Sequence, residues 1–232
     1  MNSWTGPAYS PVCWPPVREE RCGPRLQRTR KMMPQRTYAH ALPSLRALVT
    51  GAASGVGLAC ARELARRDVE LILADNDGRA LWSLGSALGA DVFICDVTCE
   101  KSVTRLLATA RSRFQGLDLI LNAAGPAYVR SLGMMRIGRL FISGSLDEFE
   151  RRTLIVNIVA EPQPNHSLFV HAGSKPAFIR MSEALGRQAN GSGPRFMTVD
   201  GLNGDAMIAD FIEQVCREAA CARENTYACN LQ

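Results

Sequence analysis

Three absences narrow the role of this chain before any motif is read. No apolar run approaches the ~20 residues that cross a bilayer, and no apolar segment of the kind a secretory leader needs lies near the N-terminus. A cytoplasmic protein without membrane partners is therefore expected. Cysteine is present eight times, but no CxxC pair occurs, and the trio Cys216, Cys221 and Cys229 follows no zinc-ligand spacing. A chain of 232 residues can bury a core without disulfide staples, so thiols in a reducing compartment and no metal site are expected. Net charge is missing wherever a fold can form. All of the +5 comes from residues 1–44, which hold seven Lys/Arg against two Asp/Glu, and from residue 45 onward the two signs balance. A neutral body offers no electrostatic footprint for DNA or RNA, which argues against a nucleic-acid partner.

What is present divides the chain. Residues 1–44 carry seven of the twelve prolines, two of the three tryptophans and the basic run RLQRTRK, without hydrophobic periodicity. Such a stretch reads as a disordered, Pro-rich basic extension rather than a tethering arm. From Leu45 strands and helices alternate. Short β-rich runs at 44–50, 69–75, 90–96, 117–125, 152–160 and 194–199 are separated by segments of helical spacing at 56–67, 79–88, about 99–114, 129–142 and 175–189. A last helix is expected over 205–220. The strands are almost continuously apolar, as in a parallel sheet covered on both faces. The expected fold is α/β: a doubly wound parallel sheet of Rossmann type, in three αβα layers. It forms one domain over 45–222 with a C-terminal tail at 223–232. A ligand crevice should lie beyond the carboxyl ends of its strands.

The first strand meets the first helix through TGAASGVG, residues 50–57. Gly51, Gly55 and Gly57 allow a tight turn and close approach of backbone to a phosphate. The helix start at Ser54 and Val56 offers N–H groups and the positive end of the helix dipole. Asp75 ends the second strand, where a carboxylate can bond the ribose hydroxyls of an adenosine and repel a 2′-phosphate. That favours NAD(H) over NADP(H), unless Asp75 merely caps the next helix. Asp96, in CDVT after the third strand, either faces the adenine or caps the helix that follows.

With TGAASGVG, DVT (96–98) and LNAAG (121–125) in order, the chain resembles the short-chain dehydrogenase/reductase family from about Leu45 to Val199. These stretches are similar to that family's TGxxxGxG turn, its adenine-side motif and its NNAG motif, with Leu121 replacing the first Asn. The resemblance implies that Asp96 and Val97 sit at the adenine and that Asn122 stabilises the central sheet. It also brings Ala123 and Gly125 near the cofactor. It further implies a carbonyl or secondary-alcohol substrate and assembly into dimers or tetramers.

The same resemblance makes the catalytic end a divergent one, a degenerate version of a four-residue set. The family's YxxxK motif falls on HAGSK (171–175), so Lys175 takes the lysine position and His171 stands in that of the tyrosine. The register IVNISS, common on the family's fifth strand, fits IVNIVA (155–160), which leaves Ala160 at the serine position. Ser131 falls at the position of the helix asparagine. The segment VDGLNGD (199–205) lacks the proline of the family's PG turn, and no seventh strand is evident. Two functions follow as expectations. One is an NAD(H)-dependent oxidoreductase in which His171 and Lys175 serve as acid and cofactor contact. The other is a catalytically impaired relative that binds nucleotide or protein.

Overall fold

The computed structural model describes residues 45–114, 116–124, 133, 135–140, 152–159, 168–189, 193–202 and 204–224, with backbone alone for 168–175 and 223–224. Six parallel strands are β1 (Arg46–Thr50), β2 (Glu70–Asp75), β3 (Asp91–Ile94), β4 (Leu119–Asn122), β5 (Leu154–Val159) and β6 (Arg195–Asp200). They lie side by side in the order β3-β2-β1-β4-β5-β6. Between them run helices α1 (Gly55–Arg66), α2 (Gly78–Leu88), α3 (Glu100–Phe114), α4 (Leu168–Ala189) and α5 (Asp205–Glu224). This is the doubly wound α/β sheet that the alternation of patterns predicts.

The apolar runs become strands because both of their faces find cover. Every residue of β4 and of β5 is buried. On one face Val49, Leu73, Leu121 and Val156 pack with Cys60 and Leu64 of α1, Leu81 of α2 and Ile212 of α5. On the other, Leu48, Ile72, Ile120 and Ile155 meet Val103, Leu106 and Phe114 of α3 together with Ile137. Each such side chain contributes about 1.5–3 kcal/mol when fully withdrawn from water. At the amino edge Arg46 clamps β1 to β4, its Nε donating to Asp118 Oδ2 at 3.1 Å and its backbone N–H to the same oxygen at 2.8 Å. The amino edge is thus tied by ions, which leaves the carboxyl edge for loops.

Three features depart from the sequence-based expectation. Helix α4 begins at Leu168, seven residues before the expected start at 175, and keeps Pro176 in its interior. Proline removes one helical N–H and usually marks a helix start, which is why the pattern suggested a boundary there. HAGSK therefore lies inside α4 and not at its beginning. Helix α5 runs to Glu224, past the expected end at 220 and the boundary at 222. Cys221 is disulfide-bonded, where free thiols were expected throughout. Since Cys60, Cys95, Cys99 and Cys216 are free, its partner lies outside the described residues. The extension 1–44 also lies outside them. Among the described residues no helix is long and apolar enough to cross a membrane.

Candidate functional site at the carboxyl edge of the sheet

All six strands point their carboxyl ends to one edge, and there the glycine turn folds back on the loop after β4. Gly51 has φ +69°, and a Cβ on it would stand 2.6 Å from both the Ala123 carbonyl oxygen and the Ala124 Cα. A Cβ on Gly57 would collide with the carbonyl of Gly51. These two glycines are required by backbone meeting backbone, and Ala123 is part of the same contact. Gly55 differs: its φ is +52°, yet nothing lies within 4 Å of where its Cβ would be. It is left-handed backbone beside open space, at the first residue of α1.

The end of α1 is prepared for an anion. Ser54 is the N-cap residue but makes no side-chain cap hydrogen bond, and the first turn holds no acidic residue. The first intrahelical bond from this end is Leu58 N–H to the Ser54 carbonyl, so the N–H groups of Gly55, Val56 and Gly57 have no partner within the helix. Asp75 stands next to the turn. Its Oδ2 accepts from Ala53 N–H at 2.9 Å and its Oδ1 from Asp77 N–H at 3.0 Å. Asp77, not Asp75, caps α2, accepting from Arg79 and Ala80 N–H. The capping alternative for Asp75 is thereby excluded.

Asp96 uses its Oδ1 for the N–H and hydroxyl of Thr98, at 2.8 and 2.7 Å, while its carbonyl accepts from Cys99 N–H. Its side chain shapes the turn that leads into α3 and does not bond the amides of the helix's first turn. The neighbouring Val97 is buried, and its carbonyl accepts from Arg136.

Behind this edge lies a row of polar side chains in an otherwise apolar layer. Thr50, Asn122, Asn157 and Thr198 occupy matched positions on β1, β4, β5 and β6. Neighbours in a parallel sheet share a face, so the four side chains align. Thr50 Oγ1 donates to Asn122 Oδ1 at 2.9 Å, and Asn122 Nδ2 to Asn157 Oδ1 at 3.3 Å. Asn157 Nδ2 donates to Ser182 Oγ of α4 at 2.8 Å, and Thr198 Oγ1 lies 2.6 Å from the same hydroxyl. Thr50, Asn122 and Asn157 are fully buried and Ser182 is 2% exposed. An unsatisfied polar group in such a place costs about 1–3 kcal/mol, so the row is stable only as a whole.

Asn122 is thus seated where the sequence resemblance puts it, in the middle of the sheet. Thr50, Asn157, Ser182 and Thr198 were not singled out as site residues. A signal was available: each of the four strands carries one polar residue near its carboxyl end within an apolar run.

The catalytic candidates are less fully described. Gly125, Ser131 and Ala160 lie outside the described residues. Positions 171 and 175 belong to the helical backbone of α4. They precede Phe178, Ser182, Leu185 and Ala189 at intervals of three or four residues, a single helix face. Phe178, Ser182 and Ala189 on that face are buried.

Two thiols, Cys60 of α1 and Cys216 of α5, are held above their ordinary range. Burial pushes Cys60 up to about 12. Cys216 is pushed up to about 11 by burial, with the nearby Arg67 guanidinium opposing the shift.

Comparison with known proteins bears on this edge. The family described as Enoyl-(Acyl carrier protein) reductase matches residues 51–152, which begin at the glycine turn. The 3-hydroxyacyl-CoA dehydrogenase type-2 of Drosophila melanogaster is 30% identical over 200 residues, covering 72% of this chain and 78% of the relative. A solved short chain dehydrogenase from Mycobacterium smegmatis superposes with a TM-score of 0.62 at 19% identity, over 84% of this chain and 94% of that one. An NAD+-bound xylitol dehydrogenase gives a TM-score of 0.56 at 21% identity, over 70% and 73% of the two chains.

Proposed function

Since this chain belongs to the short-chain dehydrogenase/reductase family, we propose that it binds NAD(H) at the carboxyl edge of its sheet and oxidises or reduces a small alcohol or carbonyl compound. The observation that carries this reading is the open space at Gly55, beside uncapped helix amides and an aspartate fixed at the end of β2. Backbone N–H groups at the start of α1 suit a pyrophosphate, because they meet negative charge with the helix dipole and displace no side chain. Asp75 accepts from the ribose hydroxyls with the lone pairs that its two backbone bonds leave. Its charge disfavours a 2′-phosphate, so NADH is preferred to NADPH. Asp96 and Val97 border the adenine in the same reading.

When bound, the dinucleotide supplies the ring that gives or takes hydride, and the chain must supply the proton in reduction or accept it in oxidation. Lys175 and His171 on α4 are the residues for this. Val159 at the end of β5 and Ala160 after it offer no hydroxyl to a developing alkoxide, and loss of one such donor costs about 10²–10³ in rate. Turnover is therefore slow. The same two residues favour a second reading, in which the chain binds NADH without turnover and serves as a cytoplasmic nucleotide-responsive subunit. Assembly into homodimers or tetramers belongs to both readings.

Titration of the purified protein with NADH and NADPH, followed by nicotinamide fluorescence, tests the first step. Saturable NADH binding with weaker NADPH binding is expected, and its absence sinks both readings. Turnover on a panel of ketones and secondary alcohols then separates them. The double change Ala160→Ser with His171→Tyr is expected to raise that turnover. An inert double variant that still binds NADH would overturn the assignment of these two positions.

A further inference from the structure

The polar row joins the two parts of the proposed site. At one end Thr50 precedes the Gly51 turn directly, and at the other Ser182 is carried by α4. Among the described side chains of α4, Ser182 alone joins the row, and it meets both Asn157 of β5 and Thr198 of β6. Lys175 lies seven residues before it, two helical turns on the same face. Apolar contacts on this helix face, such as Phe178 near Val159, tolerate sliding. Two directional hydrogen bonds to one small hydroxyl do not, because their strength falls steeply with angle and length.

We propose that Ser182 is a positioning residue: held by Asn157 and Thr198, it sets the register of α4 against the sheet and so the distance from Lys175 to the glycine turn. The donor sequence supports this. Both Asn122 and Asn157 are oriented by their neighbours, and the chain of bonds started at Thr50 ends on the Ser182 oxygen. The position demands a small hydroxyl. Alanine there would leave the Asn157 amide without its acceptor in a buried site.

The proposal rests on dinucleotide binding at this edge, and two probes separate it from that reading. ADP, the second probe, lacks both the nicotinamide and its ribose, ends at the pyrophosphate and engages only the turn and Asp75, whereas NADH also reaches α4. In wild-type protein both probes bind; if neither does, the dinucleotide reading and this proposal fall together. In Ser182→Ala, binding of NADH is expected to weaken by about tenfold, the equivalent of one or two lost hydrogen bonds, with ADP affinity unchanged. Ser182→Thr, which keeps the hydroxyl, is expected to restore most of the NADH affinity. Equal weakening of both probes, or no change in either, overturns the positioning role even if thermal stability falls. Should Ser182→Ala fail to fold, Thr198→Val removes one of the two bonds from a less buried position. The same selective loss of NADH affinity, smaller in size, is then expected, and an unchanged ratio of the two affinities overturns the proposal.

Discussion

The two halves of the sheet were built to different standards of chemistry. In the first half, β1 to β3 with α1 and α2, the glycine turn and the aspartate that ends β2 are fixed by backbone contacts. Gly51 and Gly57 leave no room for a side chain, and Asp75 is held by two amides. In the second half, β5 and α4 keep the scaffold, including the buried Asn157–Ser182 bond, while the positions proposed above for the reaction hold Ala160 and His171. In the proposed site the first set is constrained twice, by packing and by ligand, because the turn is also a core contact. The second set is constrained by chemistry alone. Residues of that kind can change without unfolding the protein.

The largest expected effect tests the double constraint. Gly57→Ala puts a methyl group into the Gly51 carbonyl, and overpacking against backbone should cost about 3 kcal/mol or more. Both a lowered thermal midpoint and loss of NADH binding are expected. The contrasting Gly55→Ala meets no atom within 4 Å and should cost only about 1–2 kcal/mol, for its left-handed backbone. A Gly57→Ala protein as stable as Gly55→Ala would break the comparison.

Next in size is the row that links the halves. Asn122→Ala strips a partner from both Thr50 and Asn157, and a loss of about 2–4 kcal/mol is expected from two orphaned buried groups. The midpoint of urea unfolding measures it.

A third prediction isolates ligand from fold. Asp75→Ala removes two hydrogen bonds of a half-buried group, so a modest drop in stability should accompany a weakening of NADH binding by about tenfold or more. With the carboxylate gone, the preference for NADH over NADPH should shrink. An unchanged preference would show that Asp75 does not read the ribose.

The smallest effect concerns the thiols. Cys60 and Cys216 have folded-state values raised to about 12 and about 11 from 9.0. Their contribution is complete below pH 9 and is lost as pH rises through 11 to 12, since the unfolded thiols ionise first. Stability should fall by less than about 1 kcal/mol between pH 7 and 9 and more steeply above. Cys60 should resist alkylation in native protein at pH 8, and rapid modification there would contradict its burial.

Much of the first half could be read in advance because its signals are local. Glycines at 51, 55 and 57, after an apolar run and before a helical one, report their own geometry. The structure adds that Asp77, not Asp75, takes the capping role. The start of α4 was misplaced because Pro176 imitates a first-turn proline, while seven further residues extend the helix before it. The bonded state of Cys221 was missed because spacing alone does not bring a distant partner into reach.

The sequence by itself determined the order of strands and helices, the parallel sheet and the glycine turn, since hydrophobic period and backbone freedom act over a few residues. Only the tertiary structure decided that Thr50, Asn122, Asn157, Ser182 and Thr198 form one row. The first two are 72 residues apart in the chain, and the register that aligns them exists only once the strands have paired. In the sequence each is a polar residue with nothing local to mark its partner. In the folded sheet each is the condition for burying its neighbour.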